Sequence, residues 1–221
     1  MVNKNIRILY VDEQRDQLDD FQADAELSEL FEEVITLEPQ KELAQMVNEI
    51  MALKVDAVIS DFNLSEAAIV NYNGDELLNA IQSIRFNFPC FLRTSYEDDA
   101  VSYSSDVNRV YVKDDSLTLH SEANLFKRVA AQVRAYYRLY DGARNEHSEL
   151  RAKQFEIGLD IKEAERLLEL DDILESYISA DQKTPSEVKK NALDRFDKLM
   201  ESTDKLIEEI ESKLEGKASD V

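Results

Sequence analysis

The sequence predicts an α/β fold: a five-stranded parallel sheet doubly wound by helices, followed by an α-helical extension. Three observations predict it. Short apolar runs alternate with amphipathic stretches through the first two-thirds of the chain. Those runs are nearly continuous in apolar residues, the pattern of strands covered on both faces. Only four glycines and three prolines occur in 221 residues, so helices can run uninterrupted.

Residues 6–11 (Ile-Arg-Ile-Leu-Tyr-Val) read as a buried strand that stops at Asp12-Glu13. Residues 14–27 have helical spacing in Leu18, Phe21 and Ala25. Residues 31–37 form a second strand and 41–53 a second helix, with Leu43, Met46, Val47 and Ile50 on one face. Residues 56–60 are a third strand running into Asp61, and Asn73-Gly74 reads as a turn before a helix carrying Leu77, Leu78, Ile81 and Ile84. Residues 89–92 and 109–112 supply the fourth and fifth strands. Phe126, Val129, Val133, Tyr136, Tyr137 and Tyr140 mark a helix that closes the α/β unit and projects beyond it.

From Glu146 onward no strand pattern occurs. Leu150, Ile157, Ile161, Ala164, Leu168 and Tyr177 predict one long, irregular helix that breaks at residues 180–183. Thr184-Pro185-Ser186-Glu187 is a helix start, with a capping hydroxyl, proline at the first helical position and glutamate three residues on. Phe196, Leu199, Thr203, Leu206 and Ile210 then form a narrow coiled-coil seam. The expected division is an α/β domain over 1–143 and a helical hairpin over 144–221. The seam is open to packing within the hairpin, to homodimerisation or to a partner helix.

The formal net charge is −21. Residues 1–144 hold 14 Lys/Arg against 26 Asp/Glu, and residues 145–221 hold 12 against 21, so both parts are acidic. Neither part offers the basic field that phosphate backbones require, which argues against direct nucleic-acid binding. No apolar run approaches the roughly 20 residues that span a bilayer, so no membrane contact is expected. Residues 1–7 lack the apolar core of a signal peptide. A single cysteine, Cys90, excludes an internal disulfide. These readings make the expected location cytoplasmic.

The chemistry-bearing residues recur at strand ends. Strand one delivers Asp12 and Glu13, strand three Asp61, strand four Thr94 and Ser95, and strand five Lys113. In an open parallel sheet, ligands collect at these carboxyl ends. Three carboxylates gathered there call for a hard divalent cation, and Mg²⁺ prefers oxygen ligands and keeps positions open for phosphate. A hydroxyl and an ammonium can hold the remaining oxygens of a transferred phosphoryl group, with Asp61 as nucleophile.

Residues from about 4 to 140 resemble the receiver domain of two-component response regulators, a flavodoxin-like fold. The matching segments are Ile8-Leu9-Tyr10-Val11-Asp12-Glu13, Ala57-Val58-Ile59-Ser60-Asp61, Asn73-Gly74-Asp75-Glu76-Leu77-Leu78, Leu92-Arg93-Thr94-Ser95 and Val110-Tyr111-Val112-Lys113. The resemblance implies that Asp61 is the phosphoacceptor. It also implies that Asp12, Glu13, Asp61 and the backbone carbonyl of Asn63 hold Mg²⁺, and that Thr94 and Lys113 contact the phosphoryl oxygens. It implies a sensor histidine kinase as donor and a protein effector downstream, without a DNA-binding output. The only chemistry implied is Mg²⁺-dependent self-phosphotransfer and autodephosphorylation, so the chain is not expected to be an enzyme otherwise.

Three features depart from that pattern. The loop between Asp61 and Gly74 is about five residues longer than usual, with residues 65–72 inserted beside the site. Asp114, followed by Asp115, replaces the proline that typically follows the lysine. Val110 stands where the family places its switch aromatic, and Tyr111 comes one residue late. Tyr96, two past Thr94, occupies a position that tunes phosphoryl lifetime in the family. Elsewhere, Cys90 reads as a packed core thiol and His120 as solvated. His147, early in the hairpin, is either a solvated surface residue or a phosphotransfer histidine. Two alternatives to the response-regulator reading follow: a relay through His147, or a pseudo-receiver scaffold that never carries phosphate.

Overall fold

In a computed structural model, residues 5–65, 70–95, 101–102, 104, 106–113 and 125–178 are described. Five parallel strands form one sheet: β1 (Arg7–Val11), β2 (Glu33–Leu37), β3 (Ala57–Asp61), β4 (Cys90–Thr94) and β5 (Val110–Val112). Their spatial order is β2-β1-β3-β4-β5. The order reverses direction between β1 and β3, which makes their carboxyl ends the natural ligand crevice. The helices are α1 (Arg15–Leu27), α2 (Leu43–Leu53), α3 (Gly74–Ile84), α4 (Leu125–Glu156) and α5 (Ile161–Ile178). This is the predicted doubly wound sheet followed by helices.

The two faces of the sheet bury separate cores because side chains alternate along each strand. Leu9, Val11, Val58 and Leu92 pack with Met46, Val47 and Ile50 of α2 and with Leu77, Leu78 and Ile81 of α3. Ile8, Tyr10, Ile59 and Phe91 pack on the other face with Leu18, Phe21 and Ala25 of α1 and with Phe126, Val129 and Val133 of α4. Both β3 and β4 are buried along their whole length, which is why they read as unbroken apolar runs.

Two expectations need correction. Asn73-Gly74, expected as a turn before the helix, is the start of α3 itself, with Asn73 as its cap. The Asn73 side chain accepts from the Glu76 N–H while the Glu76 carboxylate accepts from the Asn73 N–H, each at 2.9 Å. This reciprocal capping box fixes the helix start beside Asp61. The helix expected to run unbroken from Leu150 to Tyr177 is instead interrupted between Glu156 and Ile161. Gly158 there takes a left-handed φ of 84°, a conformation glycine adopts without a Cβ penalty. Asp160 and Glu163 then form a second capping box that starts α5.

The chain divides into two compact units, one running through Gly142 and taking in Ser176–Ala180, the other beginning at Ala143. Among the described residues no helix is long and apolar enough to cross a membrane. The helix break at 180–183, the helix from Thr184 and the coiled-coil seam lie outside the described residues.

The long loop after β3 is partly anchored in the core. Leu64, Val70 and Tyr72 are buried in the α2/α3 core. The Tyr72 hydroxyl donates to the Gln40 carbonyl at 2.7 Å.

Candidate functional site

Period-two alternation assembles the site from one face of the sheet. Tyr10, Ile59, Phe91 and Tyr111 belong to or pack on the α1/α4 core. Residues two further on, Asp12, Asp61, Arg93 and Lys113, therefore follow on that same face at the carboxyl edge. β3 and β4 pair Asp61 with Arg93 directly in register. Thr94 ends β4 on the alternate side, and its carbonyl accepts from the Lys113 N–H at 2.6 Å.

Lys113 is the hub. Its Nζ stands 2.8 Å from Asp12 Oδ2 and 2.5 Å from Asp61 Oδ1, and all three side chains are largely withdrawn from solvent. Two carboxylates buried this closely need a cation, and here the ammonium serves. The second oxygen of each acid is held by backbone: Gln14 N–H donates to Asp12 Oδ1 at 2.9 Å, and Asn63 N–H to Asp61 Oδ2 at 2.7 Å. Burial pushes the Asp61 carboxyl up from its ordinary value, Lys113 pulls it back, and Asp12 pushes it up again.

Glu13 stands close enough to Asp12 and Asp61 to feel their charge. Its Oε1 takes a bond from the Gln14 side chain at 3.2 Å, while its Oε2 is buried with no hydrogen-bond partner among the described residues. Burial raises its pKa as well. As they stand, no three acid, histidine or cysteine side chains among the described residues converge tightly enough to enclose a metal ion. The donor set is nonetheless all oxygen, and one buried oxygen lacks a partner.

The site has a close-packed floor. Gly74 donates its N–H to the Phe62 carbonyl at 2.9 Å. A Cβ at Gly74 would invade the Asp61 carbonyl oxygen and come within 2.8 Å of Ser60 Oγ. The next residue, Asp75, pairs with Arg109 Nη2 at 2.6 Å and accepts from Ser104 Oγ at 2.8 Å. Arg109 also reaches Asn79 and Gln82. This buried network ties the start of α3 to the entry of β5.

Three functional candidates escaped the sequence reading. Tyr10 donates its hydroxyl to Asp12 Oδ2 at 2.5 Å, and burial drives its pKa upward. The Asp75–Arg109 pair was equally unforeseen, since only folding brings residues 34 apart together. Arg93 is the third, and its sequence signal is a charge inside the apolar run Cys-Phe-Leu-Arg-Thr. Its guanidinium lies 5.6 Å from the Tyr10 ring centroid and 5.5 Å from that of Phe21. It is 7% exposed, and its Nε and Nη1 have no hydrogen-bond partner among the described residues. Cation–π contacts supply of order 2 kcal/mol when desolvated. Burying an ion costs several kcal/mol, so this cation is under-compensated.

Cys90 is a buried core thiol, its pKa pushed to about 12 by burial. Val110 and Tyr111 sit in β5, and Tyr111 packs 5.9 Å from Phe91, as a core aromatic. In the second unit His147 Nε2 lies 2.8 Å from Asp171 Oδ1, and Arg166 forks onto Glu146 at 2.7 and 2.8 Å. Tyr96, Asp114, Asp115 and His120 lie outside the described residues.

No protein-family model matches the chain, and no curated protein does. Among solved structures, a response regulator receiver protein from Sinorhizobium medicae WSM419 is 16% identical with a TM-score of 0.46, covering 60% of this chain and 97% of that one. A sensor protein from Polaromonas sp. JS666 is 14% identical with a TM-score of 0.43, covering 59% of this chain and 99% of that one. The strand order and register, rather than these likenesses, establish the architecture. The first unit has the five-stranded flavodoxin-like receiver fold, and helices follow it.

Proposed function

We propose that this chain is a two-component response regulator that accepts a phosphoryl group on Asp61 from a sensor histidine kinase. It then signals through protein contacts of its helical part. The observation that carries this reading is Lys113 bridging Asp12 and Asp61 at the carboxyl ends of β1 and β3. Asp61 is fixed by strand, backbone donor and ammonium together, so little reorganisation precedes attack.

In the transfer, a carboxylate oxygen of Asp61 bonds to phosphorus while the nitrogen–phosphorus bond of the donor phosphohistidine breaks. The imidazole nitrogen keeps the electron pair and takes a proton from water. Lys113 favours the ionised nucleophile, opposing the upward push of burial. It then shifts its ammonium to the new phosphoryl oxygens, with the Thr94 hydroxyl as a further contact.

The residues fit Mg²⁺, since Glu13 Oε2 is a buried oxygen in want of a partner beside an all-oxygen donor set. Asp12, Glu13, Asp61 and the Asn63 carbonyl would hold it. Bound there, it supplies charge neutralisation for the phosphoryl oxygens. Formation and hydrolysis of this one acyl phosphate is the only chemistry in the proposal, which includes no separate substrate. A relay through His147 gains no support, because its Nε2 is taken up by Asp171.

The test is labelling by acetyl phosphate with Mg²⁺, read by intact mass. One phosphoryl group is expected on the wild-type chain, with loss of the label in Asp61→Asn and in chelator. An unlabelled wild-type chain would favour the scaffold reading.

A further inference from the structure

We propose that Arg93 is a second cationic contact for the oxyanion at Asp61, one that leaves the α1 aromatic stack when that anion arrives. The inference rests on the phosphoacceptor reading above and deepens it. Arg93 is the in-register neighbour of Asp61, and alternation places both side chains on the same face of the sheet. The Arg93 carbonyl also accepts the Phe62 N–H at 3.1 Å, so the two strand ends are tied at this level.

The resting guanidinium is poorly served where it lies. Two of its nitrogens are buried and, among the described residues, unpartnered, and an arginine cannot shed its proton to escape the cost. Its contacts are the faces of Tyr10 and Phe21, which stack on each other with centroids 4.1 Å apart and planes 21° apart. The Tyr10 hydroxyl touches Asp12 Oδ2, the oxygen that Lys113 also holds. Guanidinium, ring, carboxylate and ammonium thus form a continuous series that ends on Asp61.

At rest the site holds Asp12 and Asp61 against Lys113, with Arg93 standing back. A phosphoryl group adds about −1.5 to −2 of charge at neutral pH and three strong acceptor oxygens. One ammonium no longer suffices, and Arg93, in register with Asp61, is a buried cation with spare donors. A planar guanidinium also suits two phosphoryl oxygens at once, which a lysine cannot match. Its departure uncovers the Tyr10–Phe21 stack, so α1 repacks. This provides a readout in a chain whose Val110 replaces the usual switch aromatic.

The experiment measures beryllofluoride affinity at saturating Mg²⁺ for wild type, Arg93→Met and Arg93→Lys, alongside thermal unfolding of each and the wild-type Arg93 Nε–H resonance. Arg93→Met is expected to melt no lower than wild type yet bind beryllofluoride at least tenfold more weakly, with Arg93→Lys between. In the wild type, the Nε–H signal is expected to move and to gain exchange protection on beryllofluoride addition. Should Arg93→Met fail to fold, Arg93→Lys and the wild-type resonance decide the matter. Unchanged affinity in a folded variant, or an unmoved resonance on a beryllofluoride-bound wild type, overturns the role of Arg93 alone. A wild type that binds no beryllofluoride overturns the phosphoacceptor reading and this inference with it.

Discussion

Asp61 is raised chiefly by burial, and that has a signed consequence. Its folded pKa lies above the unfolded value of about 3.9, so the folded chain holds this proton more tightly. The ionised carboxylate therefore lowers stability above the folded pKa, and the penalty fades as pH falls through the folded value toward the unfolded one. Asp61→Asn is accordingly expected to be at least as stable as wild type at pH 7, with its advantage shrinking on acidification. Denaturant unfolding at several pH values checks this, and a carboxyl-carbon NMR titration of Asp61 should give a midpoint above the ordinary aspartate value. Lys113 is the converse case. Lys113→Met leaves two buried carboxylates without their cation, and breaking such a pair costs about 3 kcal/mol. Part of that loss should return on adding Mg²⁺, measured as a shift in unfolding midpoint. Gly74→Ala forces a methyl into the Asp61 carbonyl, and overpacking of this kind costs about 1–3 kcal/mol by chemical denaturation.

At the scale of elements, α3 matters most because its first turn abuts the acceptor strand. The Asn73–Glu76 box satisfies two N–H groups that the helix itself cannot. Asn73→Ala is expected to destabilise by about 1 kcal/mol, and Glu76→Ala added to it should cost less than it does alone. A double-mutant cycle reads that coupling. β4 makes the opposite point. An arginine in a strand buried along its whole length works against stability, and such local conflicts gather where function demands them.

On the scale of the whole molecule, charge is the governing quantity. Both parts of the chain are acidic, so the long-range field repels phosphate backbones. A fluorescent DNA duplex is expected to show no anisotropy change with the full chain at about 0.15 M salt, where the screening length is about 8 Å. Measurable binding would show that some local surface overrides the field.

Apolar runs and their spacing determined most of this fold. β1, β3 and β4 were legible because strands buried on both faces must be apolar throughout, and α1 and α2 because Leu18, Phe21, Met46 and Ile50 recur at helical intervals. Strand-end positions likewise singled out Asp12, Asp61, Thr94 and Lys113 as a candidate set. Only the tertiary structure decided that Lys113 bridges Asp12 and Asp61, since residues 101 apart meet through strand order alone. It alone placed Tyr10 on Asp12, joined Asp75 to Arg109 and, among the described residues, left Arg93 without a charge partner. Periodicity records which face a residue takes. Partnership depends on register between strands distant in sequence, and no local pattern carries that.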